Sequence, residues 1–251
     1  MLPNVSIIMP AYNERLKIAE SIRAVQANLE NLTNPYEIII VDDGSEDGTR
    51  DQALRAASNP HVKVVGYQQN KGKGFAIKFG AGYAKGDVVV LIDSDAEINP
   101  DLIQRYVAIL ERYDLAIASK RHPDSRVTAP VLRTLQSHAF HALVMLLTGI
   151  TVSDTQSGFK AFRRDALVSI TRLASVKHYA FDVEMLAIAT MLKMNIAELP
   201  VRIELTQQFS FGKILRMFID LLGITYRLRL IHWYQKNVNN MHATYSPILK
   251  W

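Results

Sequence analysis

The stretch "DVVVLIDSDAE", Asp87 to Glu97, joins a continuous apolar run to a cluster of acids. Val88 to Ile92 do not alternate with polar residues. A strand that is apolar at every position is buried on both faces, as in a parallel sheet. Asp93, Asp95 and Glu97 then follow at alternate positions. In extended backbone, alternate side chains point the same way, so Asp93 and Asp95 face one point. Like charges this close repel. A hard divalent cation, its shell completed by phosphate oxygens, would hold them together. Helix capping is the alternative, because "INPDL" follows, but Asn99 already supplies a cap before Pro100.

The chain upstream alternates strand and helix patterns. "VSIIM" (Val5–Met9), "EIIIV" (Glu37–Val41) and "VKVVGY" are short apolar strands. Between the first two, Ile18, Ile22, Val25, Leu29 and Leu32 recur at helical spacing. Further helices are expected through Ala53–Ala57 and about Gly72–Ala84. This order predicts a mostly parallel α/β sheet flanked by helices. Ligands of such sheets bind beyond the carboxyl ends of the strands. Pro10–Glu14, Asp42–Thr49 and Asp93–Glu97 all lie just there, so three polar clusters should meet in one crevice.

Downstream, a helix is expected over Asp101–Arg112, then the strand "LAIAS" and a basic loop, "KRHPDSRV". An apolar helix over Val131–Thr148 should end at Gly149. "SDTQSGFKAFRR" reads as a loop entering a strand, and Phe181–Met194 as a helix. "IAELPVRIEL" reads as an edge strand, because Pro200 cannot donate to a ladder. Over Gly212–Lys236, Lys213, Arg216, Asp220, Gly223 and Arg227 form one polar stripe on an otherwise apolar helix, broken near Arg229. Such a helix suits a membrane interface, or packing on the domain or on a second subunit. The expected division is a domain over 1–211 and a helical tail over 212–251.

The 251 residues are 49% hydrophobic and 21% charged, a globular balance, and contain no cysteine. Disulfides, thiolate metal sites and a Cys nucleophile are excluded. The net charge of +5 suits an anionic partner. No nucleic-acid recognition motif accompanies it, so no nucleic-acid partner is expected. No signal peptide or membrane-spanning run is evident. The expected location is the cytoplasm, free or on a membrane face.

Two more clusters carry chemistry. "VDDGSEDGT" could be a plain turn, but Asp42 and Asp43 could also accept hydrogen bonds from a nucleobase or ribose. In "NKGKGFAIKFG", glycines with Lys71 and Lys73 at a helix start could hold an anion; a plain Gly-rich turn is the alternative. The spacing is neither a Walker A loop nor a dinucleotide fingerprint. Asp182 and Glu184 could orient ligand hydroxyls or mark a solvated helix start. His138 and His141, on the apolar helix, read as packing or interface residues.

In this order and spacing, "PAYNE", "VDDGSEDGT", "NKGKGFA" and "DSDAE" resemble family 2 glycosyltransferases of the GT-A fold. "SKRHPDS", "SDTQSGFKAFRR" and "YAFDVEML" resemble the dolichyl- and polyprenyl-phosphate sugar transferases, with "DTQ-GFK" and "GKG" nearer the glucosyl than the mannosyl branch. The resemblance covers about residues 4–215. It implies inverting transfer of a hexose from a nucleotide sugar, UDP-glucose or else GDP-mannose, to a lipid phosphate. A non-catalytic nucleotide-binding module on the same fold is the alternative. By the same resemblance Pro10, Ala11, Tyr12, Glu14, Asp42 or Asp43, Lys73, Ser94 and Lys213 would bind the donor. Asp93 and Asp95 would hold Mg²⁺ or Mn²⁺, with Glu97 nearby. Lys120, Arg121 or Arg133 would stabilise phosphate charge, and Asp182 would act beside them. The mannosyl relatives carry an Arg where Gln207 stands here. A membrane surface, and a second copy of the chain, are the implied macromolecular partners.

Overall fold

The computed structural model describes residues 4–30, 35–57, 59–94, 102–178, 180–204 and 211–238. Asp95, Glu97, Asn99, Leu32 and Gln207 lie outside them. In chain order the elements are β1 (Val5–Ala11), α1 (Ile18–Leu29), β2 (Tyr36–Asp43), α2 (Thr49–Ala56), β3 (Val62–Tyr67), α3 (Lys73–Ala81), β4 (Val88–Leu91) and α4 (Ile103–Ile109). Then come β5 (Leu115–Ser119), β6 (Arg126–Thr128), α5 (Val131–Thr148), β7 (Lys160–Arg163), α6 (Arg164–Leu173), α7 (Phe181–Met191), β8 (Ile196–Pro200), β9 (Arg202–Glu204) and α8 (Phe211–Thr225).

Seven strands form one sheet in the order β3-β2-β1-β4-β7-β5-β8. The sheet is parallel except for β7, which runs antiparallel to both β4 and β5. Val88 to Ile92 are all buried, as their unbroken apolar run requires. One core lies on each face of the sheet. Ile8, Ile39, Val89 and Leu91 point into one, and Ile7, Ile38, Ile40 and Val90 into the other.

The direction of β7 positions the site. In a parallel strand the last residue lies at the carboxyl rim; in an antiparallel one the first residue does. Lys160, which opens β7, therefore sits opposite Leu91, at the end of β4. The loop before β7 is thereby delivered to Asp93.

Several expectations shift for identifiable reasons. "IAELPVRIEL" is two strands. β8 forms the sheet edge as Pro200 requires, and β9 then pairs with β6 in a separate two-stranded sheet. The basic loop thus contains a short strand at Arg126–Thr128. α6, with Ala166, Leu167 and Ile170 buried, follows β7 at once and was masked by the strand pattern before it. α7 stops at Met191 because Lys193 takes a left-handed conformation, φ 57°. α5 ends as expected, with Gly149 at φ 76°.

The C-terminal helix is packed differently from its stripe. Met217, Leu221 and Ile224 face inward, and Tyr234 beyond the helix is fully buried in the same core. Asp220 and Arg227 lie half-buried at the margin, while Leu215, Phe218, Ile219, Leu222 and Tyr226 are exposed. Asp220 and Arg227 of the polar stripe therefore border the body, Arg216 is exposed, and the other outward residues named here are apolar. The expected break near Arg229 is a π-helical turn over Tyr226–Leu230, followed by His232 at φ 50°. No helix among the described residues is long and apolar enough to cross a membrane.

Candidate active site

The carboxyl ends of β1, β2 and β4 meet, as the topology demands. Ala11 is paired with Asp42 across β1 and β2. Pro10 is half-buried and Tyr12 is 45% exposed beside them. The loop holding Glu14 is stapled to the next loop: Glu14 N–H donates to Thr49 Oγ1 at 2.8 Å, and Asn13 Oδ1 accepts from Glu46 N–H. Ser94 is buried, and its carbonyl accepts from Ser21 Oγ at 2.8 Å.

The structure separates Asp42 from Asp43. The Asp43 carboxylate accepts from Tyr67 Oη (2.7 Å), Asn70 Nδ2 (2.9 Å), Lys71 N–H (2.8 Å) and Gly72 N–H (2.9 Å). A carboxylate with its lone pairs committed in this way has little left for a nucleobase. Asp42 accepts one bond, at 3.3 Å, from Ser45 N–H. Both carboxylates are buried, and Asp42 is the less committed of the two to hydrogen bonds within the fold.

The same bonds show what the backbone of "NKGKG" holds within the fold. The anion held by its backbone is Asp43. The glycines serve close packing instead. A Cβ on Gly72 would lie 2.4 Å from Lys177 O, and one on Gly74 would lie 2.6 Å from Phe181. Gly74 N–H also donates to Lys177 O at 2.8 Å. The starts of α3 and α7 are thus pressed together, which brings Lys73 to Asp182.

Lys73 is accordingly no free anion holder. Its Nζ lies 2.9 Å and 3.1 Å from the two oxygens of Asp93 and 3.1 Å from Asp182 Oδ2. Asp182 Oδ1 in turn receives Lys160 Nζ at 2.7 Å. Lys160 also donates to Ser157 O. Lys160, Asp182, Lys73 and Asp93 therefore alternate in one chain, buried except at Asp93, in which burial lowers the Lys160 pKa despite the opposing pull of Asp182. Burial alone would raise the Asp182 pKa, but the Lys160 and Lys73 ammonium groups outweigh it and hold the carboxyl below its usual range. Burial likewise opposes the charge on Lys73, yet Asp182 and Asp93 outweigh it and raise its pKa above the ordinary value. Asp182 is therefore buried, ionised and occupied, not a solvated helix start. Glu184 is fully buried and bonds to Ser175, Val176 and Tyr234, so it does not face a sugar.

Beside Asp93 opens a cavity of about 260 Å³, walled by Lys120, Arg121, Arg133, Ser137 and both helix histidines. His138 and His141 thus line a cavity, a place their apolar helix did not suggest. Lys120 Nζ is paired with buried Asp154 at 2.7 Å. Burial pushes the Asp154 carboxyl up, but Lys120 more than offsets it and the pKa falls. Arg121 is held by neutral groups, the carbonyls of Ser153 and Ser137 and Ser137 Oγ, at 2.9–3.0 Å. Its guanidinium keeps its charge for the cavity. Arg133 is 9% exposed and faces the same space. Lys160, Asp154 and Gly158 were missed as site residues. Their signal was a lysine inside an apolar strand and polar residues just before it.

For a divalent metal, Asp93 offers a hard oxygen donor. Its side chain is one-third exposed and already fixes a cation, which fits Mg²⁺ or Mn²⁺. No group of three candidate ligands occurs among the described residues, and Asp95 and Glu97 lie outside them. α8 contains Lys213, but its side chain is likewise outside the description.

The fold has solved counterparts. Glucosyl-3-phosphoglycerate synthase from Mycobacterium tuberculosis, in complex with UDP, superposes with a TM-score of 0.70 at 22% identity, covering 89% of this chain and 79% of that one. Mannosyl-3-phosphoglycerate synthase from Rubrobacter xylanophilus also gives 0.70, at 20% identity, covering 92% and 76%. The architecture is the GT-A fold, a sheet with its polar crevice at the carboxyl rim. The profile of Glycosyl transferase family 2 matches residues 6–171, and the chain belongs to that family. It is a glycosyltransferase. The dolichyl-phosphate beta-glucosyltransferase of Drosophila melanogaster is 34% identical over 91% of this chain and 76% of its own length. The human protein of that name is 31% identical over 95% and 80%.

One substitution tests the cradle of Asp93. A Cβ on Gly158 would lie 2.1 Å from Asp93 Oδ2. Gly158→Ala is expected to displace that carboxylate and lower transfer about 100-fold, since a misplacement near 1 Å carries that cost. Steady-state rates with matched circular dichroism check it. Unchanged turnover would show that Asp93 can move freely.

Proposed function

We propose that this chain transfers glucose, with inversion, from UDP-glucose to dolichyl or another polyprenyl phosphate. The observation that carries the reading is the cationic cavity beside Asp93, with Arg121 held by neutral partners and its charge left for an anion. The names of the relatives supply the sugar and the lipid.

The chain's own residues suit such a reaction. The acceptor phosphate would lie against Arg121 and Arg133, its reacting oxygen turned toward Asp93. That oxygen is ionised near neutral pH and needs no strong base. It bonds to the anomeric carbon while the bond to the nucleoside diphosphate breaks on the opposite side. Asp182, occupied by two lysines and held ionised, is a poor proton acceptor. It would position Lys73 and, through it, Asp93. Asp93, with Asp95 from the adjoining segment, would hold Mg²⁺ or Mn²⁺, which as a Lewis acid supplies charge stabilisation to the leaving diphosphate. Asp42, Tyr12 and Pro10 border the place for the nucleotide.

The outward apolar residues of α5 and α8, Leu135, Leu146, Phe218, Ile219 and Leu222 among them, would meet the cytoplasmic face of the membrane carrying the acceptor. Co-flotation with anionic vesicles tests that contact; a concentration-dependent dimer in its place would assign the face to a second copy. The function is tested with UDP- and GDP-sugars, dolichyl phosphate and either metal, scoring sugar in the lipid phase. UDP-glucose should give the highest kcat/KM. Nucleotide-dependent thermal stabilisation without transfer from any donor would mean a binding module instead.

A further inference from the structure

Lys73 occupies the Asp93 carboxylate so fully that a metal ion cannot share it unchanged. Its ammonium lies within 3.1 Å of both oxygens. A dication arriving alone would meet this fixed positive charge, with Lys160 behind it. Asp93 is thus already countered by Lys73, and Asp182 by Lys73 and Lys160. Its second contact makes Lys73 exchangeable. Asp182 Oδ2 holds the same ammonium at 3.1 Å, so leaving Asp93 does not strand a buried charge. Asp182 cannot follow, because Lys160 anchors its other oxygen at 2.7 Å.

We infer that Lys73 is an exchangeable counter-ion for the metal position, which makes metal and nucleoside diphosphate bind together and hinders the metal alone. The inference rests on the proposed metal role of Asp93. Without ligands Lys73 neutralises Asp93. A diphosphate brings negative charge that can receive the ammonium, and Asp93 is released to the metal. Two ligands that favour the same displaced state of one side chain must be coupled, and the coupling is reciprocal.

The experiment is Mn²⁺ titration of the full chain, followed by the electron paramagnetic resonance signal of free Mn²⁺, with and without UDP. In the wild type, UDP should tighten Mn²⁺ at least about fivefold, within the usual range of such coupling. Lys73→Met should bind Mn²⁺ alone about tenfold more tightly than wild type, and UDP should then add little. Lys177→Met removes an exposed charge from the turn packed against Gly72 while keeping the carbonyl that Gly74 uses, and should match the wild type. Equal tightening by both variants would reduce the effect to general electrostatics and overturn the exchange. So would a folded Lys73→Met protein with the wild-type affinity and the wild-type response to UDP. If the wild type binds no Mn²⁺ even with UDP, the metal role of Asp93 falls, and the exchange with it.

Discussion

Asp93→Asn is expected to lower sugar transfer by about 1,000-fold while leaving the fold intact, the scale of losing a main electrostatic stabiliser of developing charge. The substitution keeps the size of the side chain and removes its charge. Lys73 loses one partner but keeps Asp182, so no buried ammonium is left alone. UDP binding measured without metal should not weaken and should tighten, because the substitution frees Lys73 for the diphosphate. Turnover within tenfold of wild type would remove Asp93 from the reaction.

The second large effect concerns stability. Glu184 is fully buried on α7. It accepts from Ser175 N–H and Oγ at 2.9 Å each, Val176 N–H at 2.7 Å and Tyr234 Oη at 2.5 Å, with the Arg227 guanidinium 3.5 Å away. Glu184→Ala strands two backbone donors, two hydroxyls and part of a cation. It should lower the unfolding free energy by about 3–5 kcal/mol, the scale of breaking a buried charged cluster. Urea denaturation measures it. Tyr234→Phe removes two bonds, the one it donates to Glu184 and the one it accepts from Arg227 Nε, and should cost about 1–3 kcal/mol. Limited proteolysis should cut first after α8 in both variants, because Tyr234 and Arg227 tie that segment to the body. A loss below 1 kcal/mol for Glu184→Ala would mean that water replaces all these bonds.

The sheet was legible because its strands are apolar at every position, and only burial on both faces makes such runs. The convergence of Pro10, Asp42 and Asp93 followed from parallel topology. What escaped was set by distant contacts. Nothing local in "GFKAFRR" announces that its strand runs backwards, yet that direction brings Lys160 to Asp182. Asp42 and Asp43 are indistinguishable in the sequence. Tyr67, Asn70 and Gly72, some 24 to 29 residues away, decide between them. The packing of the tail is likewise set at a distance. Arg227 reads as surface charge until Glu184, 43 positions earlier in the numbering, is seen beneath it.

The capture of Asp43 by the glycine-rich turn has a kinetic side. A turn that waits for a phosphate to order it must be organised during each encounter, and that slows association. Here the chain supplies its own anion, so the backbone from Asn70 to Gly74 has its shape before any substrate arrives. Within this turn, the side chain of Lys73 is what a ligand would have to displace. Ordering of this turn should then add no slow step to association, so that no loop-folding phase from it limits the approach of a donor.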